Sequence, residues 1–209
     1  MRKGRKIPEV LTPDEQARML GELGDFPTSP RHIRNLAMVR LLLDTGLRAA
    51  ELINLRHRDL DLTTGRLWVR QGKGKKDRGL WFNGSSRGAL LAWLDLKATL
   101  SCGASFPPAG YFFTDLLTGK KPICGRWLRK LVTRLAERAG IAKRIHPHTL
   151  RHSFATDLLR DTKNLFLVSK ALGHSDISTT QIYLHLADAE LEDAMKNLRG
   201  GGHDREPVL

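Results

Sequence analysis

The sequence predicts a mainly α-helical domain that carries one small three-stranded antiparallel β-sheet, an α+β architecture. Three observations lead there. Most segments place apolar residues at the i, i+3, i+4 spacing of a half-buried helix. Only residues 59–82 switch to alternating apolar and polar positions, with turn residues between the runs. A length of 209 residues with 41% hydrophobic content is enough for one sizeable core, or a core plus a small lobe.

Thr12-Pro13-Asp14-Glu15 opens the first helix with a cap, a proline in the first turn and a glutamate three residues after the cap. That helix is expected to run to about Gly24. Ser29-Pro30 opens the second, with Ile33, Leu36, Ala37 and Leu41 facing inward, and Gly46 stops it. A short helical turn over 47–52 follows. Leu60 and Leu62, then Leu67 and Val69, alternate as strands do, and Thr63-Thr64-Gly65 makes the turn between them. Gly72 to Asp77 makes a lysine-rich second turn before a strand over 78–82. A helix over 89–100 should bury Leu90, Leu91, Trp93 and Leu94. The Pro/Gly segment 101–110 reads as a surface loop, and Tyr111 to Phe113 as a short apolar element. Residues 122–139 form a long helix with Trp127, Leu128, Leu131 and Leu135 inside and Arg126, Arg129, Lys130, Arg134 and Arg138 outside.

The last third holds the densest chemistry. A helix through HPHTLRHSFATDLL puts His148, Arg151 and His152 on one stripe, related as i, i+3 and i+4. Leu150, Phe154 and Leu158 form a second stripe that should face the core. A helix over 165–172 ends at Gly173, in the left-handed cap position that favours glycine, and projects His174 from a tight corner. Ser175-Asp176 offers an N-cap for a following helix on which Ile182 and Leu186 pack inward and Tyr183 sits at the rim. A helix over 188–198 carries Leu191, Ala194, Met195 and Leu198 as an apolar stripe. Residues 200–209, starting with three glycines, read as a flexible tail. Residues 11–199 thus form one domain. The basic arm before it, residues 1–10, suits either contact with phosphates or a solvated linker.

Charge narrows the partner. A formal net charge of +13, with both signs plentiful, describes a folded basic protein that attracts polyanions. Nucleic acid leads over an anionic membrane, because no basic amphipathic helix with aromatic anchors points to a membrane surface. No apolar run approaches membrane-spanning length, and the N-terminus lacks a signal-peptide core. Cys102 and Cys124 form no metal or disulfide motif and read as free thiols in a reducing, cytoplasmic compartment. The His148/His152 pair has a zinc-ligand spacing but lacks an intervening Glu or a nearby Cys, so no metal is expected. What remains is a set of cations around one phenol, a combination suited to attack on a phosphodiester. Singly, each member has a plainer reading: a packed aromatic for Tyr183, a helix salt bridge for Arg151, an exposed i, i+3 surface pair for Arg48 and Glu51.

Four ordered boxes, TGLRAAEL, GKGKKDR, HTLRH and LGHSDISTTQIY, resemble the signatures of the tyrosine recombinases (phage integrases, Xer recombinases, Cre). Their order and intervals match, and the resemblance covers essentially the whole chain as that family's catalytic domain. It implies Arg48 and Arg151 as the two catalytic arginines, Lys73 as the hairpin lysine, His148 and His174 as the two histidines, and Tyr183 as the nucleophile. Glu51 and His152 are implied as supports. Lys75, Lys76, Arg78, Arg126, Arg129 and Lys130 are expected DNA contacts. The resemblance further implies a 3′-phosphotyrosyl intermediate with no cofactor, and a homotetramer on double-stranded DNA, with accessory proteins, in which helix 188–198 docks on a neighbour or packs in cis. The host is implied to be bacterial, archaeal or a phage. The helical clamp that usually precedes this domain is absent from the sequence. Two other readings stay open: a type IB topoisomerase, and a non-catalytic basic DNA-binding module.

Overall fold

The computed structural model describes residues 9–24, 28–70, 77–101 and 106–173. Within them the chain forms helices α1 (Pro13–Gly21), α2 (Pro30–Thr45) and α3 (Ala49–Ile53), strands β1 (Leu60–Asp61), β2 (Arg66–Val69) and β3 (Arg78–Trp81), then helices α4 (Gly84–Leu100), α5 (Gly125–Arg138), α6 (Pro147–Thr162) and α7 (Leu165–Leu172). Residues 1–8 of the expected arm, 72–76 of the lysine-rich turn and everything after Gly173 lie outside the described residues. Among the described residues no helix is long and apolar enough to cross a membrane.

The first helix forms as its start dictates. Thr12 Oγ1 accepts from Glu15 N, Glu15 returns the bond to Thr12 N, and Pro13 occupies the first turn. It ends at Gly21, three residues before the expected stop, and its buried contribution is Met19. Helix α2 is the axle of the fold. Leu36, Ala37, Met38, Val39, Leu41 and Leu42 are all buried, so almost its whole circumference is covered, chiefly by α4 and α6. A helix buried all round cannot show a clean amphipathic stripe, which is why only one of its faces was legible.

The strands pair in the order β1-β2-β3, antiparallel, with Leu60 opposite Leu67, Leu67 opposite Leu80 and Val69 opposite Arg78. Leu67, Val69, Leu80 and, unexpectedly, Arg78 face inward. Arg66, Trp68 and Trp81 face outward, with the Arg66 guanidinium stacked 4.0 Å from the Trp68 ring centroid. Asp61 holds the first turn by accepting from Thr63 N and Thr64 N.

Helix α4 starts five residues before the expected position. Asn83 Oδ1 accepts from Ser86 N, so a Gly-Ser-Ser stretch of loop composition becomes the first turn of a capped helix. Leu90 and Trp93 are fully buried, and Trp93 Nε1 donates to Phe112 O at 3.0 Å. Leu91, expected inside, is instead 39% exposed, because one residue of helix rotates it away from the Leu90/Trp93 stripe. Helix α5 starts at Gly125, not Pro122, because Pro122 is engaged in an isolated bridge with Thr114. Its buried stripe is Leu128, Val132, Leu135 and Ala136. Trp127 and Leu131 are only partly covered, and Trp127 lies 4.4 Å beneath the buried Arg34 guanidinium. On α6, Leu150 reaches the main core, while Phe154 and Leu158 pack on a smaller cluster of Ala155, Leu159, Val168 and Leu172 between α6 and α7. Cys124 is a free, exposed thiol.

Gly46 closes α2 with φ of 61°, and a Cβ placed there would lie 2.3 Å from Phe154 Cδ1. Gly46→Ala therefore combines a left-handed backbone with an overpacked contact. It is expected to destabilise the fold by about 2–4 kcal/mol, measured by urea denaturation. A loss below about 1 kcal/mol would mean that the Phe154 ring swings aside at little cost.

Candidate active site

Two helices end on glycine corners that face each other across Arg151. Helix α2 turns out at Gly46 and α7 at Gly173, whose φ is 63°. Helix ends carry carbonyls without intrahelical partners and a partial negative charge. Arg151, buried in the second turn of α6, donates Nη1 to Gly46 O and Nη2 to Leu172 O, both at 2.6 Å. The guanidinium plane is thereby fixed between two main-chain oxygens.

Glu51 sits beside it, in the first turn of α3. Arg48, the cap of that helix, donates its backbone N to Glu51 Oε2 at 2.7 Å and its Nη1 to Oε1 at 2.9 Å. Arg78 grips the same carboxylate from β3, with Nη1 on Oε1 at 3.0 Å and Nη2 on Oε2 at 2.8 Å. Its Nε donates to Ala171 O at 3.0 Å. Arg151 Nη1 lies 4.0 Å from Glu51 Oε2. Burial alone would raise the Glu51 pKa, but the hydrogen bonds and charge of Arg78, then of Arg48, outweigh it and hold the carboxyl at about 2. Three guanidiniums thus surround one permanent carboxylate, and three positive charges less one negative leave a surplus of two.

His148 lies one turn before Arg151 on α6 and is exposed. Its pKa is lowered, first by the burial its ring does have, then by the charges of His146, Arg151, Arg48 and Arg129. His146, the cap of α6, accepts from Thr149 N through Nδ1 and meets the His148 ring edge to face, with centroids 6.1 Å apart. His152 is half-buried. Burial first, then the charge of His148 and of Arg151, pushes it down to about 4.

The structure therefore brings Arg48, Glu51, His148, Arg151 and His152 together. Lys73, Lys75, Lys76, His174 and Tyr183 lie outside the described residues, although Gly173, the residue before His174, is at the centre of the group. Arg126, Arg129 and Lys130 are exposed on α5, and Arg129 is near enough for its charge to act on His148.

The plainer reading of Arg48 and Glu51 as an exposed surface pair does not hold: the Glu51 side chain is only 13% exposed and is shared with a second arginine. One expectation needs correction. Arg78, expected as a DNA contact, is 8% exposed with its guanidinium spent on Glu51 and Ala171 O. The signal was present in strand parity, since Arg78 alternates in step with Leu80, an inward residue. Among the described residues no group of three or more His, Cys, Asp or Glu side chains is placed to hold a metal.

Known proteins share this arrangement of elements. Residues 9–190 match the model of the phage integrase family. A tyrosine recombinase XerC of Lactobacillus delbrueckii subsp. bulgaricus is 39% identical over 188 residues, covering 90% of this chain and 62% of that protein. A tyrosine recombinase of Thermosipho africanus is 38% identical over 198 residues, covering 93% of this chain and 63% of that protein. The chain spans a little under two thirds of the length of these curated relatives. Among solved structures, XerA recombinase superposes with a TM-score of 0.77 at 32% identity, covering 93% of this chain and 66% of that one. XerH site-specific recombinase, in a post-cleavage complex with its palindromic difH substrate, gives 0.76 at 29% identity, covering 93% and 54%. The helices, the three-stranded sheet and its order are those of a tyrosine recombinase catalytic domain, and the chain belongs to the phage integrase family.

Proposed function

We propose that this chain is the catalytic domain of a site-specific DNA recombinase that breaks and rejoins duplex DNA through a covalent tyrosine intermediate. The observation that carries this reading is the surplus of two positive charges fixed around Glu51, with His148 one helical turn away. A phosphodiester under attack gains negative charge on its non-bridging oxygens. Guanidiniums held in place beforehand stabilise that charge without reorganising, usually the largest contribution to lowering such a barrier.

In the step itself, the Tyr183 hydroxyl oxygen forms a bond to phosphorus and the P–O5′ bond breaks. His148 takes the phenolic proton, and Lys73 delivers one to the departing 5′ oxygen. Arg48, Arg151 and His174 hold the phosphate, while Glu51 and His152 support them. The products are a 3′-phosphotyrosyl link and a free 5′-hydroxyl. Attack by the 5′-hydroxyl of a second strand reverses the chemistry and completes an exchange, so neither a nucleotide nor a metal enters the balance. Arg126, Arg129 and Lys130 on the exposed face of α5, with Lys75 and Lys76, contact the DNA backbone. The working unit is a homotetramer on DNA, with helix 188–198 docked on a neighbour and accessory proteins as needed, in a bacterial, archaeal or phage-infected cytoplasm. The relatives support this reading, since XerH forms pre-cleavage and post-cleavage complexes with its difH substrate.

The test is to incubate the chain with sheared genomic DNA from its source and isolate complexes that survive detergent. A nucleotide on the peptide containing Tyr183, with free 5′-hydroxyl ends on the DNA, is the expected result. Detergent-stable complexes linked through another residue, or none at all, would overturn it. Joining of two separate duplexes distinguishes recombination from topoisomerase-like relaxation.

The pH profile follows from the lowered His148 pKa. The residue is neutral, and able to accept a proton, throughout the neutral range. The acid limb of adduct formation should therefore have its midpoint below the ordinary histidine value of 6.5. Single-turnover rates from pH 5 to 8 check this, and a midpoint above 6.5 would contradict the role given to His148.

A further inference from the structure

We propose that Arg78 is a positioning residue: by neutralising Glu51 and tying it to the last turn of α7, it frees Arg48 to face the scissile phosphate. The inference rests on the recombinase reading, but its geometric core does not.

The two arginines on Glu51 are used differently. Arg78 is buried and spends all three of its nitrogens, two on the carboxylate and Nε on Ala171 O. That leaves two of its five N–H groups, on a side chain only 8% exposed. Arg48 gives Glu51 one side-chain nitrogen, Nη1, and its side chain remains 38% exposed. A carboxylate with one arginine nearby is normally gripped by two parallel N–H groups. Here the two-pronged position is already filled by Arg78, so Arg48 is held by one prong and keeps the rest of its fork for another anion. Remove Arg78, and Glu51 would compete with the phosphate for Arg48.

The second link is mechanical. Arg78 is the first residue of β3, directly after the segment that carries Lys73, and it packs against Gly173, the residue before His174. A Cβ on Gly173 would lie 2.9 Å from Arg78 Cδ and Nη1. One side chain therefore joins the start of β3, the Arg48 corner and the end of α7. The glycine at 173 serves this contact as well as its left-handed backbone.

The experiment compares Arg78→Gln, Arg78→Lys, Glu51→Gln and the double variant Arg78→Gln/Glu51→Gln, with melting temperatures recorded for each. On a duplex recovered from the wild-type adduct, Arg78→Gln should slow single-turnover cleavage by about 100-fold, the size of effect seen when one preorganised electrostatic group is lost. Arg78→Lys keeps the charge but cannot span two carboxylate oxygens and a carbonyl. It should fold and still lose about 10-fold. Adding Glu51→Gln to Arg78→Gln should recover about 10-fold, because the competitor for Arg48 is then uncharged. A merely structural Arg78 would give rate losses that multiply, with no recovery.

The crystal structure of Arg78→Gln, or of Arg78→Lys should Gln not fold, supplies a readout that needs no activity. Arg48 should have turned to grip Glu51 with two nitrogens. Arg48 left on one prong there, or no recovery in the double variant, would overturn the proposal. If the wild-type chain forms no adduct, the recombinase reading fails by itself, and the position of Arg48 still decides this one.

Discussion

Tyr183→Phe is expected to bind duplex DNA as tightly as the unaltered chain and to form no covalent adduct with it. The substitution deletes one hydroxyl. Every positive charge that attracts the phosphate backbone stays, and so does the aromatic ring. Binding affinity is set mainly by the number of phosphate charges neutralised, so gel-shift titrations at matched salt should coincide. The detergent-resistant band, in contrast, should vanish, since the side chain then lacks the oxygen that bonds to phosphorus. Loss of binding together with the adduct would show that Tyr183 holds DNA and does not attack it. A surviving adduct would place the nucleophile elsewhere.

Arg151→Ala is expected to cost both chemistry and fold. The guanidinium satisfies two helix-end carbonyls, Gly46 O and Leu172 O, and stands 4.0 Å from Glu51. Cutting it back leaves two buried acceptors without that partner and weakens the positive surround of a buried carboxylate. Each unsatisfied acceptor costs about 1–3 kcal/mol, so a loss of about 3–5 kcal/mol in urea denaturation is expected. Under the proposed function, cleavage should fall below detection, because one of the two arginines assigned to the transition-state charge is gone. Arg151→Lys separates the two effects. An ammonium keeps the charge but reaches only one of the carbonyls in good geometry, so part of the stability should return while cleavage stays severely reduced. An Arg151→Ala variant as stable as the parent would mean that the carbonyl bracing contributes nothing.

Much of the site was legible because its residues occupy short, ordered motifs. Arg48 follows a glycine stop, Glu51 lies three residues on, and His148, Arg151 and His152 share a helical stripe, and all five meet in space. What the motifs could not convey is what each arginine holds. Arg151 bonds to peptide oxygens, which leave no trace in side-chain identity. Arg78 was assigned by its charge when its parity with Leu80 placed it inward. The same physics explains the errors in the fold. Asn83-Gly84-Ser85-Ser86 has the composition of a loop, yet one side-chain cap turns it into the start of α4. Leu91 was counted as core for being apolar, when its neighbours Leu90 and Trp93 already define the buried direction.

The anchoring of Arg151 and Arg78 on main-chain oxygens has a consequence for how this domain tolerates change. A peptide oxygen is present whatever residue supplies it, so these bonds make no demand of their own on the side chains at 171 and 172, whose apolar character is set instead by packing, Leu172 between α6 and α7 and Ala171 against the main core. The bracing is wired to the backbone trace, and along that trace Gly46 and Gly173 are the positions whose left-handed backbone and close neighbours disfavour any substituent.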